Sequence, residues 1–224
     1  MLWTKHHFDA LDSTQDEARA YPPYSVVVAE RQTRGRGRMG RTWESPAGNL
    51  YLTAVVPDFG DRTPQLAFVA AVALAEALAD FPVRLKWPND VLLDGRKIAG
   101  ILLERAEGKV LVGVGVNVVS APDLAIYATG HLQGRIFCDI LLDRFLKELR
   151  EAMGAFQEKG FEPIRRKWLA GAFHLGQDII VKMPQGTAAG VFAGIDADGA
   201  LMLKQADTIK RITVGDVALM KDMK

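Results

Sequence analysis

Cysteine is nearly absent from this chain: Cys138 is the single one in 224 residues. That excludes an intramolecular disulfide and leaves no thiolate pair for a metal site. Cys138 opens an apolar-periodic run and reads as a small buried residue. An excess of either charge is absent as well. Lys and Arg number 28 against 27 Asp and Glu, a formal net charge of +1, so general affinity for nucleic acid does not follow from charge. Long apolar runs are also missing. The most apolar window, Leu66–Leu78, is too short to span a bilayer, and the N-terminal "MLWTKHHFDALDST" lacks the apolar core of a signal peptide. A soluble cytoplasmic protein without membrane contact is the expectation.

What is present is an ordinary globular composition, 49% hydrophobic and 25% charged, enough to bury a sizeable core. Length suggests one domain, or one domain with a small appendage. There is no internal repeat and no low-complexity tract. Asp12, Ser13 and Thr14 are good N-caps, Asp16 and Glu17 suit the positive end of a helix, and Pro22 and Pro23 stop it. "SVVVAE" (25–30) reads as a buried strand, and "NLYLTAVV" (49–56) as a second, with Leu50, Leu52 and Ala54 alternating against Tyr51 and Thr53. "RTPQLAFVAAVALAEALADF" reads as a core helix with Thr63 as N-cap and Pro64 at its first position. Strands follow at 83–86, at 91–104 folded about Asp94-Gly95, and at 109–118.

Residues 120–134 look like loop, 137–161 a long amphipathic helix ending near Gly160, and 162–172 a short helix. After His174 short strands and close turns suggest a small all-β barrel. The fold class is α+β: a mixed, mostly antiparallel sheet packed with helices over residues 1–174, then a β domain over 175–224.

One stretch needs a counterpart of opposite charge. "TRGRGRMGRTW" (33–43) sets Arg34, Arg36, Arg38 and Arg41 among Gly35, Gly37 and Gly40. Three readings are open: a solvated surface turn, a nucleic-acid module, or a small-molecule site for two anions. Three glycines in six residues indicate a backbone that approaches something closely or turns through positive φ. Arg-Gly nucleic-acid tracts are longer and disordered. The pattern is not a P-loop, because no Gly-Lys-Ser/Thr follows, and "GRGRMG" leads to a strand rather than the helix a dinucleotide fingerprint opens. Fixed guanidinium and backbone N–H groups would offset the repulsion between a carboxylate and a triphosphate.

A second cluster lies in "KWPND" (86–90) and "GRKIAGILLE" (95–104). Asn89 and Asp90 form either a plain turn or an amide beside a Mg²⁺-competent carboxylate. Lys97 is either a snorkelling edge residue or a buried cation with an anionic ligand. Gly100 suggests close ligand approach, and Gly113 and Gly115 leave room on a central strand that Asn117 ends.

Together these residues resemble the biotin–protein ligases. The resemblance runs in order through "LDST" (11–14), "ERQTRGRGRMGRTW" (30–43), "NLYLT" (49–53), "RLKWPND" (84–90), "RKIAGILLE" (96–104) and "GVGVNV" (113–118). It implies a class II aminoacyl-tRNA synthetase-like sheet followed by an SH3-like β domain. It also implies a reaction: biotin and MgATP give biotinyl-5′-adenylate, and the biotinyl group passes to a lysine of a biotin carboxyl carrier protein, such as an acetyl-CoA carboxylase subunit.

Position by position, the resemblance implies that Ser13, Thr14 and Gln32 hydrogen-bond the biotin head, with Gln15 beside them. Gly35, Arg36, Gly37 and Arg38 belong to the loop that closes over the biotin carboxylate and the adenylate phosphate. Lys97 bridges carboxylate and α-phosphate, so Lys97 and Arg38 are the candidate catalytic residues. Gly100 and Ile101 line the biotin pocket. Arg41, Lys86, Asn89 and Asp90 handle phosphates, with Asp90 the candidate Mg²⁺ ligand and the candidate base for the acceptor lysine. Asn117 lies near the adenine. Trp43 packs beside the nucleotide or in the core.

Two departures stand out: Gln15, where the family commonly has asparagine, and Arg34, where a small residue is usual. Because "LDST" begins at residue 11, no N-terminal helix-turn-helix domain fits, and the monofunctional form without DNA binding is the expectation. His6 and His7 precede the first motif, and His131 and His174 fall in loop-like stretches. Attack by an already ionised carboxylate needs no histidine. A lipoate–protein ligase of the same fold is the alternative within this class, and homodimerisation stays open.

Overall fold

A computed structural model describes residues 2–123 and 128–219. The expected loop at 120–134 therefore lies partly outside the described residues.

Strands β1 (Thr4–Phe8), β2 (Ser25–Ala29), β3 (Leu50–Pro57), β4 (Val83–Lys86), β5 (Asp90–Leu93), β6 (Arg96–Ala106) and β7 (Lys109–Val116) form one seven-stranded sheet. Its order is β1-β2-β3-β7-β6-β5-β4; β1 runs parallel to β2 and every other pairing is antiparallel. Hairpins at Asp94-Gly95 and Glu107-Gly108 produce this pattern, and all four turn residues take positive φ. β3 is buried from Leu50 to Val56. The alternation in its sequence separates two covered faces rather than an inside from an outside.

Helices cover one face. α1 (Thr14–Glu17) stands apart near β2, β3 and β7, whereas α2 (Leu66–Ala77), α3 (Cys138–Lys159) and α4 (Glu162–Gly171) pack on one another. α2 is buried at nine positions and lies between the sheet and α3, as its all-round apolar sequence requires. Its expected cap is corrected. Residues Gly60–Gln65 form a 3₁₀ turn, Pro64 sits inside that turn, and Gln65 is the α2 N-cap. Thr63 instead accepts a hydrogen bond from Phe59 N–H and donates to Asp58.

The C-terminal strands β8 (Asp178–Met183), β9 (Gly186–Ile195), β10 (Leu201–Gln205), β11 (Thr208–Ile212) and β12 (Asp216–Leu219) make an antiparallel sheet ordered β11-β10-β9-β8-β12. The expected barrel is not closed, because β11 and β12, at the two ends, do not pair with each other among the described residues. The sheet buries Ile179, Val181, Phe192 and Leu203 in the same apolar core as α2 and α4. Phe192 packs edge-on to Trp168 at 6.4 Å.

Candidate active site

On the sheet face opposite α2, register sets Thr53 beside Gly113, Gly113 beside Leu102, and Gly115 beside Gly100. The glycines keep this floor low. A Cβ on Gly113 would lie 2.8 Å from Gln15 Oε1, and one on Gly115 only 2.5 Å from Trp43 Nε1. The space on the central strands thus admits two of the protein's own side chains. Gly100 behaves alike: the atoms nearest its would-be Cβ are the Trp43 ring and Lys97.

One end of the resulting cleft is polar. Thr14 N–H donates to Gln32 Oε1 at 2.8 Å, Gln32 Nε2 donates to Ser45 Oγ at 2.9 Å, and Ser45 Oγ donates to the Trp43 carbonyl at 2.9 Å. Because Ser45 spends its proton on that carbonyl, the Gln32 amide orientation is fixed. Thr53 Oγ1 lies 2.9 Å from both Thr14 Oγ1 and Gln15 Oε1. Ser13 Oγ, Gln15 Nε2 and Trp43 Nε1 are buried without a hydrogen-bond partner in the protein. Each such atom costs about 1–3 kcal/mol, so three around one cleft point to a polar ligand that satisfies them.

The other end is charged. Lys97 Nζ sits 2.7 Å from Asp90 Oδ1, with side chains 13% and 18% exposed, and 5.3 Å from the centroid of the Trp43 ring. Arg38 donates to Asn89 Oδ1 at 2.8 Å and lies 3.8 Å from Asp216. Arg41 pairs with Asp216 at 2.6 Å. Burial pulls the Arg38 guanidinium below its ordinary pKa, opposed by Asp216 and Asp90.

The arginine loop is a small hairpin. Gly37 N–H bonds to the Arg41 carbonyl at 2.7 Å and Trp43 N–H to the Gly35 carbonyl at 2.9 Å, with Met39 and Gly40 turning through positive φ. A Cβ on Gly35 would fall 2.2 Å from the Trp43 carbonyl oxygen, which no side chain tolerates. Arg34, which the resemblance left without a role, pairs with Asp12 at the surface. This pairing holds the Asp12 carboxyl below its ordinary pKa.

Most residues singled out from the sequence meet in this cleft: Ser13, Thr14, Gln15 and Gln32 at the polar end; Arg36, Gly37, Arg38, Arg41 and Trp43 on the loop; Asn89, Asp90, Lys97, Gly100 and Ile101 beneath it. Gly35, at the base of the loop, is outside the cleft lining. Lys86 stands opposite Asp90 in the sheet register, outside the lining. Asn117 is also outside it; its Nδ2 donates to the Gly130 carbonyl at 3.0 Å. Sequence reasoning missed Thr53, Ser45 and Asp216. Thr53 could have been found as the one aliphatic hydroxyl in a buried apolar strand. Asp216 carries no local signal. Among the described residues no three His, Cys, Asp or Glu cluster as metal ligands.

Residues 4–119 match the model of the biotin/lipoate A/B protein ligase family, and 174–220 that of the biotin protein ligase C-terminal domain. A biotin–[acetyl-CoA-carboxylase] ligase of Paracoccus denitrificans is 41% identical over 218 residues, which cover 86% of this chain and 91% of that protein. The chain belongs to the biotin protein ligase family. Another biotin protein ligase, that of Aquifex aeolicus in complex with biotin and ATP, superimposes with a TM-score of 0.87 at 29% identity, over 96% of this chain and 97% of that one. A bifunctional ligase/repressor of Bacillus subtilis is 33% identical over 95% of this chain and 73% of its own length. Within the biotin protein ligase frame, the departure at Gln15 has a physical basis. The longer amide reaches across Gly113 to Thr53, and the missing side chain at 113 gives it the space.

Proposed function

We propose that this protein joins biotin to ATP as biotinyl-5′-adenylate, releasing pyrophosphate, and passes the biotinyl group to a lysine of a biotin carboxyl carrier protein. The observation that carries the reading is the cleft's division. Unpaired buried polar atoms of Ser13 and Gln15 sit toward one end, Lys97, Arg38 and Arg41 at the other, and the Trp43 ring beside Lys97. A ureido head with a carboxylate tail matches that division.

In the first step a biotin carboxylate oxygen attacks the α-phosphorus, and the bond to the bridging oxygen of pyrophosphate breaks. Bringing two unit charges to about 4 Å costs about 4 kcal/mol at an effective dielectric near 20. Lys97 and Arg38 are our catalytic residues because they supply fixed positive charge there. Arg36, Gly37 and Arg38 carry the loop that closes over carboxylate and phosphate. Arg41, Lys86 and Asn89 serve the phosphates, Trp43 flanks the nucleotide, and Asn117 supports the adenine side. In the second step the carrier's lysine nitrogen attacks the acyl carbon, AMP leaves, and the amine's proton passes to Asp90, the candidate base.

Mg²⁺ comes as part of the MgATP substrate. The cleft's carboxylates, Asp90 and Asp216, are both ion-paired with cations, so the donor set does not build a resident metal site, and Asp90 meets the ion only through the nucleotide. We assign residues 1–174 to catalysis and 175–224 to the small β domain. A need for ATP and a carrier protein puts the reaction in the cytoplasm. No helix among the described residues is long and apolar enough to cross a membrane.

The polar end favours biotin over lipoate, because a dithiolane ring has no hydrogen-bonding groups to offer Ser13, Gln15 and Gln32. Against a nucleic-acid module, all four loop arginines are paired with acidic side chains of the fold. The test is incubation with labelled biotin, a carrier domain, and MgATP present or omitted. Label should reach the carrier only with MgATP. Calorimetry that finds lipoate binding and no biotin binding reverses the choice.

A further inference from the structure

Arg36 lines the cleft, yet its guanidinium is committed outside it. Nη1 lies 2.6 Å from Asp16 Oδ1 and Nη2 2.5 Å from Glu104 Oε1. Glu104 Oε2 takes Arg19 Nη2 at 2.7 Å, and Arg19 Nε returns to Asp16 at 3.9 Å. The four side chains close a ring of alternating charge. Asp16 belongs to α1, Arg19 to the turn after it, and Glu104 to β6. Arg36 alone belongs to the loop.

We infer that this ring is the catch of the lid: Glu104 is a positioning residue that holds loop 33–43 closed through Arg36, and the Arg36 guanidinium serves the lid rather than the substrate's anions. The placement of Glu104 supports this. Gly100, Leu102 and Glu104 follow one another on the cleft face of β6, so Glu104 stands just past the cleft's end. It is the least exposed member of the ring at 18%, against 39% for Arg36.

The loop has two further fastenings: Arg34 pairs with Asp12 at the loop's base, and Arg38 and Arg41 hold Asp216, but the latter lies inside the cleft, where substrate phosphates compete for the same arginines. Asp16, Arg19 and Glu104 do not line the cleft. The ring therefore holds whether or not the anions are bound. A lid tied on the outside can keep an acyl phosphate from water while its inner arginines change partners.

This inference rests on the adenylate-forming reading for its purpose, and its test separates the two. Amide hydrogen exchange of residues 33–43 in the substrate-free protein reads the catch alone. Glu104→Gln should speed exchange at Gly37 and Trp43 about fivefold, the loss of one charge-paired contact in a partly exposed network, while exchange in β3 and β7 stays as in wild type. High salt, about 1 M, should speed the same amides more in wild type than in Glu104→Gln, where only the loop's pairs with Asp16, Asp12 and Asp216 are left to screen. This second arm stands even if the variant folds poorly. Unchanged loop exchange in both arms overturns the catch.

The purpose is read by chasing preformed biotinyl-adenylate. Glu104→Gln should release it about fivefold faster, with ATP–pyrophosphate exchange near wild type. Release at the wild-type rate, or exchange activity lost in parallel, overturns the positioning role. A protein that forms no adenylate at all overturns the proposed reaction and leaves the hydrogen-exchange result to decide the catch.

Discussion

At the scale of single residues, the cleft depends on fixed charges and on missing side chains. Lys97 is held between the Asp90 carboxylate at 2.7 Å and the Trp43 ring. Lys97→Ala should lower ATP–pyrophosphate exchange by roughly 10²-fold or more, the usual loss when a preorganised partner of developing negative charge is removed. Wild-type exchange would remove Lys97 from the mechanism. Gln15 and Gly113 form a coupled pair. Gly113→Ala places a carbon 2.8 Å from Gln15 Oε1 and should cost about 1–3 kcal/mol by overpacking. Gln15→Asn withdraws that oxygen, so the double variant should be less damaged than the sum of the two single ones. Denaturant titrations of all four proteins measure the coupling; strict additivity would mean that Gly113 is not there for Gln15.

At the scale of elements, the hairpin-built sheet was legible because Asp94-Gly95 marks a turn between apolar runs and its strands are rich in Val, Ile and Leu. β1 was not. "TKHHF" is an edge strand that pairs on one side only and stays largely exposed, so burial leaves no apolar mark on its sequence. The Gly-Arg loop and "KWPND" were legible as site material, since charge and glycine so concentrated need a partner. Their ring partners, Asp16, Arg19 and Glu104, were not legible, because they are ordinary surface charges until the fold brings them together.

The start of α2 was misread for a related reason. Thr63 has the right residue type for a cap, but its hydroxyl is taken by Phe59 N–H and by Asp58. That hydroxyl, with Gly60 N–H helping and desolvation opposing, holds the Asp58 carboxyl below its ordinary value. A depressed carboxylate pKa gives stability that is present above the unfolded value of about 4 and is lost as pH falls through the folded one. Thr63→Val should therefore cost stability at neutral pH and converge with wild type in acid, as followed by unfolding midpoints against pH. A gap that persists into acid would assign the loss to packing.

At the scale of the whole molecule, the C-terminal sheet is part of the cleft as well as of the core. Trp87, at the start of the Asn89-Asp90 turn, donates its indole N–H to the Gly199 carbonyl at 3.0 Å. Gln65 Nε2 reaches the Ala197 carbonyl at 3.1 Å, and Arg165 Nε the Ile195 carbonyl at 2.8 Å. These bonds hold the turn between β9 and β10 to the first sheet and to α4, and β12, paired to β8 in the same C-terminal sheet, carries Asp216 into the charged end, where it holds Arg41 and Arg38. Asp216 lies 175 positions from Arg41 in sequence, too distant for any motif to join them. Removing it frees two arginines that serve phosphate and touches nothing at the polar end, where Ser13, Gln15 and Gln32 sit. Because Asp216 competes with phosphate for those arginines, Asp216→Ala should lower the KM for ATP about tenfold, the effect of removing one charge-assisted pair, and leave biotin affinity by calorimetry within about twofold. If ATP and biotin binding both weakened, Asp216 would be supporting the whole cleft rather than competing at its phosphate end. If neither changed, the arginines would be positioned by the loop hairpin alone, and the contribution of the C-terminal sheet would reduce to the core it shares with α2 and α4.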